Sequence, residues 1–531
     1  MNENPTKVVP RGLMPWLGQA SIWVRVVFVV ACAATAIALV YAEEDLRGYH
    51  VWRHFEGQCL AKGEPLDSAS MVPLPVPDDQ NFALTPIVFT SYGYILTRGG
   101  KLIPPTQRET NFAMRMRIPP TADSSSLNDA YGHWMSGTFT KLEAFQNYYR
   151  NRAAQTNEYP VPVQRGSPAA DVLLALSKYD GVIEELRAAN RLPESRFPIN
   201  YDSESPWDIL LPHLAPLKIC AQTLQLRSLA ELQNGEPQKA LEDICLGLQL
   251  SDKVRNEPIL ISHLVRLAML NLMLQPVWEG LARHQWSDEQ LVALEAELDR
   301  IDFFPGFRLS MHGELGGQTG EMELIRRHPT KMYDLEGMTD RDGHNTGSDI
   351  PGAIVACCIP KGWFYQAEYR CARLVVDYYL LSADSATRTF SPEQVRRGQQ
   401  ALAEDMHSSS LFNWYEKIML PALNTSTKKF AFGQAAVDLA RTAVALERYR
   451  LAHGEYPETL EALAPKYLPA PPHDVIGGQP LKYHRGLAGR FVVYSIGWNG
   501  TDDDGKVVPN KGAMPPIDLD QGDWVWAYPA E

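Results

Sequence analysis

The side chains that best suit acid/base or metal chemistry lie close together past the middle of the chain. Residues 311–328 read MHGELGGQTGEMELIRRH, in which His312, Glu314 and Glu321 carry groups that a hydrolase or a metal site uses. Glu314 and Glu321 are seven residues apart and share a helix face, whereas His312, two residues from Glu314, faces elsewhere. A hydrolytic or metal site is one interpretation of this segment.

The second interpretation is a close contact between helices. A glycine inside a helix costs about 1 kcal/mol relative to alanine, so a cluster of glycines indicates a face that another backbone approaches. The segment contains four glycines beside the candidate acids: Gly313, Gly316, Gly317 and Gly320. A pocket in which the three candidate side chains converge would favour a hydrolase, and a glycine-lined contact would count against one.

Two other acidic segments are weaker candidates. Asp78 and Asp79 follow a Pro-rich stretch, and we expect a solvated turn there. Asp340, Asp342 and Asn345 lie in a Gly-rich loop without the periodic ligands and terminal Glu of an EF-hand. The sequence also contains no GxSxG, HExxH or P-loop motif, so no known catalytic motif supports an enzyme.

Length and charge limit the classes of function that remain. A chain of 531 residues is too long for one ordinary core and predicts two to four domains. Hydrophobic residues at 45% and charged residues at 21% are typical of a globular protein. The formal net charge of −13 argues against nucleic-acid binding, because an acidic protein repels phosphate backbones.

The cysteines show no metal-binding spacing, since CxxC does not occur and no Cys/His pattern fits a zinc site. Cys220 and Cys245 fall on successive predicted helices and would be able to pair in an exported protein. The alternative is that they are buried free thiols, because free Cys packs as a small hydrophobe. The seven cysteines are Cys32, Cys59, Cys220, Cys245, Cys357, Cys358 and Cys371.

Residues 22–42 form an apolar segment long enough to cross a bilayer, which takes roughly 20 residues. Residues 26–42 carry no charge, and Arg25 can extend its side chain toward the headgroups. Trp16, Trp23 and Tyr41 stand where interfacial aromatic residues belong. We therefore predict a transmembrane helix over residues 22–42.

The charges on either side of this segment predict its orientation. Basic residues precede it and acidic residues follow it directly, which places the N-terminus in the cytoplasm and the bulk of the chain in the periplasm. Val40-Tyr41-Ala42 also resembles a signal-peptide cleavage site, so a cleaved leader is the alternative to an uncleaved inner-membrane anchor. The flanking charges are Lys7, Arg11 and Arg25 before the segment and Glu43, Glu44 and Asp45 after it.

The exported chain is mainly helical in pattern. In residues 229–252, Gly235 separates two helical runs and Pro237 suits the first turn of the second. This pair resembles half of a tetratricopeptide repeat, but no 34-residue period recurs, so we expect one helical hairpin inside a helical body. Residues 260–282 are strongly apolar but carry His263, Arg266 and Asn271, and we predict a central buried helix there.

The C-terminal residues predict an α+β module. An apolar stripe of period three and four precedes Gly454, a natural helix stop, and Pro457 ends any continuation. Residues 481–483 and 490–495 flank a Gly-containing loop and predict a β-hairpin. Residues 523–528 (DWVWAY) alternate like a closing strand. The stripe consists of Phe432, Ala436, Leu439, Ala443 and Leu446.

These C-terminal residues resemble the globular domain of the major pseudopilins of type II secretion. The shared pattern is a helix ending in Tyr, Gly and Tyr-Pro, a Leu-Pro loop, and a Tyr-Ser-Gly turn before an acidic loop. The whole chain is also similar to membrane-anchored proteins of planctomycete and verrucomicrobial type that carry this module. The matching residues are Tyr449, Gly454, Tyr456, Pro457, Leu468, Pro469, Gly478, Pro480, Tyr483, Tyr494, Ser495, Gly497, Asn499 and Gly500.

The resemblance implies a structural Ca²⁺ at the acidic loop. The loop contains several carboxylate and carbonyl oxygens, which are the ligands that Ca²⁺ prefers. Two features depart from the family. The N-terminus has no prepilin-peptidase motif, so pilus-like assembly by the usual route is not expected, and His473-Asp474-Val475 stands where the family has an Asp-Pro loop. The residues implied as calcium ligands are Ser495, Asn499, Asp502, Asp503 and Asp504.

The fold expected is mainly α, with a transmembrane helix, a helical-hairpin body and a C-terminal pseudopilin-like α+β domain. The function expected is that of a membrane-anchored extracytoplasmic binding or scaffold protein of the cell envelope, with a link to secretion. The partners expected are the membrane and envelope or secretion proteins, and no nucleic acid. The alternative is an extracytoplasmic hydrolase with its site in the helical body. The domains expected are a cytoplasmic tail (1–21), the membrane helix (22–42), a stalk and Pro-rich strap (43–92), a small mixed region (93–166), the helical body (167–427) and the pseudopilin-like domain (428–531).

Overall fold

The computed structural model confirms a mainly helical chain, with 65% helix and 8% strand. Residues 340, 342 and 345, Cys357 and the N-terminal residues 7, 11 and 16 lie outside the described part. So do parts of the expected mixed region, chiefly between residues 104 and 129, and the last two residues of the DWVWAY segment. The structure describes residues 21–89, 95–96, 102–103, 127, 130–156, 158–331, 358–407, 414–486, 489–510 and 516–526.

The described α-helices differ widely in length, and the two longest have 40 residues each. They are α1 (Ile22–Ala61), α2 (Pro86–Phe89), α3 (Leu142–Thr156), α4 (Pro168–Leu176), α5 (Asp180–Asn190), α6 (Leu214–Gln233), α7 (Pro237–Asp252), α8 (Leu260–Ala282), α9 (Asp288–Asp299), α10 (Phe304–Arg327), α11 (Lys361–Leu374), α12 (Pro392–His407) and α13 (Trp414–His453). A π-helical turn, Val375–Tyr379, continues α11.

The described strands are short and antiparallel. Two hairpins pair β1 (Ile95–Leu96) with β2 (Leu102–Ile103) and β3 (Ala383–Asp384) with β4 (Thr389–Phe390). The C-terminal residues form a three-stranded sheet in the order β5-β6-β9 and a separate pair, β7 with β8. Their bounds are β5 (Lys482–Arg485), β6 (Phe491–Ser495), β7 (Val507–Pro509), β8 (Ile517–Gly522) and β9 (Trp524–Trp526).

The chain divides into two compact units. Unit 1 contains residues 1–63 and 322–370, and unit 2 contains residues 64–321 and 371–531. Unit 1 therefore combines the N-terminal helix with a segment that is far away in sequence. The expected domains, by contrast, are each one continuous stretch of the chain. The expected consecutive boundaries stay a prediction.

Unit 1 is built on α1, which runs without a break from the apolar segment into the stalk. The first part of the expected stalk belongs to this helix, which ends at Ala61. Its aromatic residues pack edge-to-face on α11, with Tyr49 against Tyr365 and Phe55 against Tyr369. Arg326 lies over the ring of Tyr365 and pairs with Glu368, so the end of α10 joins the same contact.

The core of unit 2 surrounds α8, which contacts α6, α7 and α13. Met269, Leu270, Met273 and Leu274 are fully buried, as the apolar pattern of this segment predicts. The turn before α7 is also as expected: α6 ends at Gln233, Gly235 has φ +79°, and α7 begins at Pro237. Residues 229–252 therefore form the helical hairpin that their sequence indicates.

The C-terminal part of unit 2 packs α13 against the three-stranded sheet. The apolar stripe of α13 is buried throughout, and the helix stops at His453 before Gly454, whose φ of +84° suits glycine. The expected hairpin is present as β5 and β6, and Trp524–Trp526 adds the closing strand. The helix begins at Trp414, so it is longer than the module that the sequence outlines.

Candidate functional site

A cleft of about 880 Å³ opens in unit 2 between α5, α7 and the end of α9. Its volume lies within the range that small-molecule and cofactor sites occupy, about 300–1,000 Å³. The sequence positions these helices locally: the turn at Gly235 sets α7, and a capping box between Ser287 and Gln290 begins α9. The wall residues Leu241, Leu246, Leu248 and Ile301 give the cleft an apolar side.

The rim of the cleft carries exposed arginines. Arg255 and Arg300 are 52% and 66% exposed, whereas their carboxylate partners Asp252 and Glu297 are only 17% and 15% exposed. Arg191 is a third exposed arginine on the lining. Glu242 is an exposed carboxylate on the same lining, so a ligand entering the cleft meets three exposed arginines and one exposed glutamate, in a chain whose net charge is −13.

Asp252 connects this rim to the core. Its Oδ2 accepts a hydrogen bond from Arg255 at 2.6 Å, and its Oδ1 accepts one from the buried Arg266 of α8 at 2.5 Å. Arg266 is 2% exposed and donates through Nη1 to the carbonyl of Asp302 at 3.1 Å. Because a buried charge is costly without a partner, this arrangement holds Asp252 in one place.

Lys253 closes one end of the cleft. Its Nζ donates to the carbonyl oxygens of Asn190 and Leu192 at 3.3 and 2.9 Å, at the C-terminal end of α5. The carbonyl end of a helix attracts cations, so the position is favourable. Burial lowers the pKa of Lys253. The lysine therefore fixes the loop that follows α5 against α7.

A buried network of ion pairs lies at the end of the cleft opposite Lys253. Asp243, which is fully buried, accepts a hydrogen bond from Nη2 of Arg187, and its Oδ2 lies 3.3 Å from Nε of Arg227. The same Arg227 Nε lies 3.2 Å from Glu231. Burial raises the pKa of both carboxyls, Asp243 and Glu231. The network joins α5, α6 and α7. Since α5 and α7 form walls of the cleft, these buried ion pairs help to fix its shape.

The candidate acid/base residues of α10 each engage a different partner. His312 lies 2.8 Å from Glu64, Glu321 accepts a hydrogen bond from Ser205 at 2.7 Å, and Glu314 accepts one from the backbone of Leu260. Burial raises the pKa of Glu314 to about 7 and lowers that of His312. The contacts do not bring the three groups to one point.

The glycines of α10 are contact positions. A Cβ atom on Gly313 would lie 1.7 Å from the carbonyl oxygen of Pro258, and one on Gly316 would lie 2.6 Å from the backbone of Ser68. Real side chains do not approach backbone this closely, so both positions require glycine. The glycine-lined contact counts against a hydrolytic site on this helix, and that hypothesis stays without support from the geometry.

The expected calcium ligands lie in and beside the loop between β6 and β7. Asp502 lies 3.0 Å from Lys482 and accepts a hydrogen bond from Tyr494, while Asp503 accepts one from Asn499 at 2.9 Å. The hydroxyl of Ser495 is buried and donates to Asp474 at 2.7 Å, away from those carboxylates. The donors suit calcium chemically, but in this arrangement they are engaged with protein groups.

Two further aspartates hold this loop, and neither was identified as functional from the sequence. Asp523 is 1% exposed and accepts from the amides of Asp503 and Gly505, the second at 2.7 Å. Asp474, noted above only as a departure from the pseudopilin pattern, accepts from Ser495 and from the amide of Ile496. Burial raises the pKa of both carboxyls. Neither aspartate stands in a local sequence pattern that would indicate that its carboxylate binds the backbone of a distant loop.

Among the described residues, no three His, Cys, Asp or Glu side chains are grouped so that they would hold a metal ion. Calcium at the C-terminal loop therefore stays a prediction. Cys220 and Cys245 are not joined by a disulfide, and Cys245 lies on the lining of the cleft.

Comparison of the chain with protein-family models, with curated proteins and with solved structures found no match. The cleft, the exposed arginines on its rim and the apolar half of α1 are thus the features from which a function can be argued.

Proposed function

We propose that this chain is a single-pass, membrane-anchored, extracytoplasmic binding or scaffold protein of the cell envelope. The observation that carries the proposal is the apolar half of α1. An 18-residue stretch of this helix has a mean hydropathy of 2.3, and none of it is buried inside the protein. A surface of this kind is unfavourable in water and is stable in hydrocarbon.

The orientation follows from the flanking charges, which place the N-terminus in the cytoplasm. A reporter active only outside the cytoplasm, fused after Glu531, tests it. Activity of this reporter is expected. An inactive reporter, together with activity of a second reporter that works only in the cytoplasm and is fused at the same position, would reverse the topology.

The cleft is the proposed binding surface. Its apolar wall and its exposed guanidinium groups suit a polypeptide segment that carries both apolar and acidic side chains. Such segments would be supplied by other envelope proteins, including those of a secretion apparatus. Association through helix-lined grooves depends on shape and apolar contact, and the rim charges would then select acidic partners.

Binding of a labelled acidic peptide tests this proposal. The full chain in detergent is titrated into fluorescein-labelled hexaglutamate that carries a terminal Leu-Leu, and anisotropy is measured. Replacing both rim arginines (Arg255→Gln with Arg300→Gln) should weaken binding by roughly fivefold or more, because each lost charge contributes up to about 1 kcal/mol.

The matched control removes the same charge elsewhere. Arg396 and Arg397 on α12 are each 58% exposed, and changing both to Gln should leave peptide affinity unchanged. Equal weakening by the two double variants would mean that only net charge matters. Equal affinity for hexalysine carrying the same Leu-Leu would also reject the cleft as an acidic-peptide site.

The C-terminal module is proposed to be pseudopilin-like and to contact envelope proteins. What supports this is the combination of a long helix with the β5-β6-β9 sheet and an acidic loop after β6. If the loop binds Ca²⁺, the full chain should unfold at a higher temperature with Ca²⁺ than with chelator. An Asp502→Asn variant should lose that difference. Identical unfolding with Ca²⁺ and chelator would reject the calcium site.

A further inference from the structure

The start of α11 lies beside the point where α1 leaves its apolar segment. The side-chain hydroxyl of Tyr41 donates a hydrogen bond to the carbonyl oxygen of Cys358, three residues before α11 begins. Tyr41 is the interfacial aromatic residue at the end of the membrane segment, and the acidic residues begin at Glu43. The backbone at Cys358 is therefore level with that end of the segment.

Several contacts within unit 1 fix this placement. Asp45 accepts a hydrogen bond from the amide of Gly362 at 2.7 Å, so it satisfies an otherwise open N–H in the first turn of α11. Glu44 accepts one from Gln366 at 3.1 Å. Glu44 and Asp45 therefore bind the first two turns of α11, close to the end of the apolar segment of α1.

A glycine pair lets the two helices approach this closely. A Cβ on Gly48 would lie 2.2 Å from the carbonyl oxygen of Gly362, and a Cβ on Gly362 would lie 1.9 Å from that of Glu44. At 1.5 Å per residue, Gly48 is about 9 Å beyond Ala42 along α1, and Glu44 about 3 Å. Since headgroups occupy about 5–7 Å on each side of the hydrocarbon, Glu44 and the start of α11 beside it lie at headgroup depth, and Gly48 lies just beyond it.

The side chains at this position suit the interface between lipid and water. Cys358 and Lys361 are exposed, and Ile359 and Trp363 are half-buried. Tryptophan favours the headgroup region, and a lysine there finds anionic lipid. In sequence, residues 350–360 also carry no charge.

We propose that residues 358–363 form a second contact with the bilayer, at the headgroup level of the leaflet that Tyr41 reaches. The partner is the lipid surface itself, which includes anionic headgroups near Lys361. Two contacts, the spanning helix and this short segment, prevent unit 1 from rotating freely about the axis of α1. This inference rests on the proposed anchoring of α1.

Fluorescence quenching in vesicles tests the contact. The full chain, with Cys358 as its single cysteine, is labelled with an environment-sensitive fluorophore and reconstituted in phosphatidylethanolamine and phosphatidylglycerol. Quenching by nitroxide lipids is then measured for nitroxides at the headgroup and near the end of the acyl chain. We expect strong quenching by the headgroup nitroxide and weak quenching by the deep one.

The control carries the label at Leu60, which is 57% exposed and lies on α1 about 27 Å beyond Ala42. That label should not be quenched by either lipid. Equal quenching at the two positions, or none at Cys358, would overturn the inference, as would quenching by the deep nitroxide alone.

Flotation of the same vesicles separates this inference from the proposed anchoring. A protein that does not float with lipid has no anchor, and both proposals fail. A protein that floats but shows no quenching at Cys358 retains the anchor and lacks the second contact. A Tyr41→Phe variant, which removes only the hydroxyl, should float normally and show weaker quenching at Cys358.

Discussion

Two helices in the described part of the chain, α1 and α8, are long and apolar enough to cross a membrane, yet they differ in how much of their apolar surface the protein buries. The apolar stretch of α1 has a mean hydropathy of 2.3 and no part of it is buried, whereas that of α8 has 1.3 and is 67% buried. Hydropathy alone does not separate them clearly, because a core helix and a membrane helix are both apolar.

The polar residues separate them. In α8, each of four polar side chains has a protein partner: His263 on the carbonyl of Glu257, Arg266 on Asp252, and Gln275 together with Glu279 on the backbone of Thr138 and Thr140. Burial, with the neighbouring Arg266 charge, lowers the pKa of His263 to about 3. Residues 26–42 of α1 carry no charge and need no such partners. A long apolar helix with embedded, partnered charges belongs to a protein core.

The largest effect is expected at the buried charge of α8. Asp252→Ala leaves Arg266 buried without its carboxylate partner, which should lower the free energy of unfolding by about 3–5 kcal/mol. Urea denaturation of the full chain in detergent, followed by circular dichroism, measures this loss. Adding Arg266→Met to the same chain should restore most of it. A small effect of Asp252→Ala, under about 1 kcal/mol, would mean that α8 does not hold its charge as described.

The matching change in α1 should affect insertion and leave folding alone. Val30 is 61% exposed in the middle of the apolar stretch, and Val30→Arg places a charge at the centre of the proposed membrane segment. On translocon scales this costs about 3 kcal/mol, so the membrane-integrated fraction should fall strongly, while Val30→Leu should change nothing. If Val30→Arg inserts as well as Val30→Leu, the segment does not lie in hydrocarbon.

Acid should loosen the contact between the end of α8 and α13. Burial alone would raise the pKa of Glu447, but hydrogen bonds from Arg450, His284 and Tyr456 lower it to about 2. A carboxyl whose pKa is lower in the folded state stabilises the fold above its ordinary pKa of 4.5 and loses this contribution as the pH falls toward 2. The loss should be on the order of 2 kcal/mol, since His284 is partly exposed and solvent screens its charge.

Unfolding in urea at pH 6 and at pH 3 measures this contribution. Glu447→Gln should reduce the difference between the two pH values relative to the unchanged chain. The variant Glu393→Gln, on the exposed surface of α12, should not alter it. The same pH dependence in the Glu447→Gln chain would show that other carboxyls cause it.

The smallest effect is expected at the rim of the cleft. Arg255 and Arg300 form exposed ion pairs, and exposed pairs contribute only about 0.2–1 kcal/mol each. Changing both to Gln should therefore leave the urea midpoint nearly unchanged, although peptide affinity falls. A loss of stability as large as that of Asp252→Ala would mean that the rim is structural.

Local signals account for what the sequence predicted well. Gly235 with Pro237, the capping pair Ser287 and Gln290, and Gly454 each act within a few residues, so the α6–α7 hairpin and the starts and stops of helices follow from them. The β5–β6 hairpin is also a short-range pairing. Patterns of this range need no knowledge of the rest of the fold.

Long-range contacts account for what was not predicted. Nothing near Gly48 indicates that it meets Gly362, and nothing near Asp523 indicates that its carboxylate holds amides twenty residues earlier. The cleft is lined by the end of α5, by one side of α7 and by the end of α9, three stretches that are ordinary helix in sequence. The most suggestive cluster in the sequence, on α10, owes its glycines to packing against Pro258 and Ser68.

The central claim is that α1 keeps the mature chain in the membrane. The most direct test is the intact mass of the protein that remains in native membranes after washing with alkaline carbonate, which releases peripheral proteins. A chain that includes residues 1–42 and stays with the membranes is the predicted result. Release of a shortened chain that begins near Glu43 would contradict the account and identify the segment as a cleaved leader.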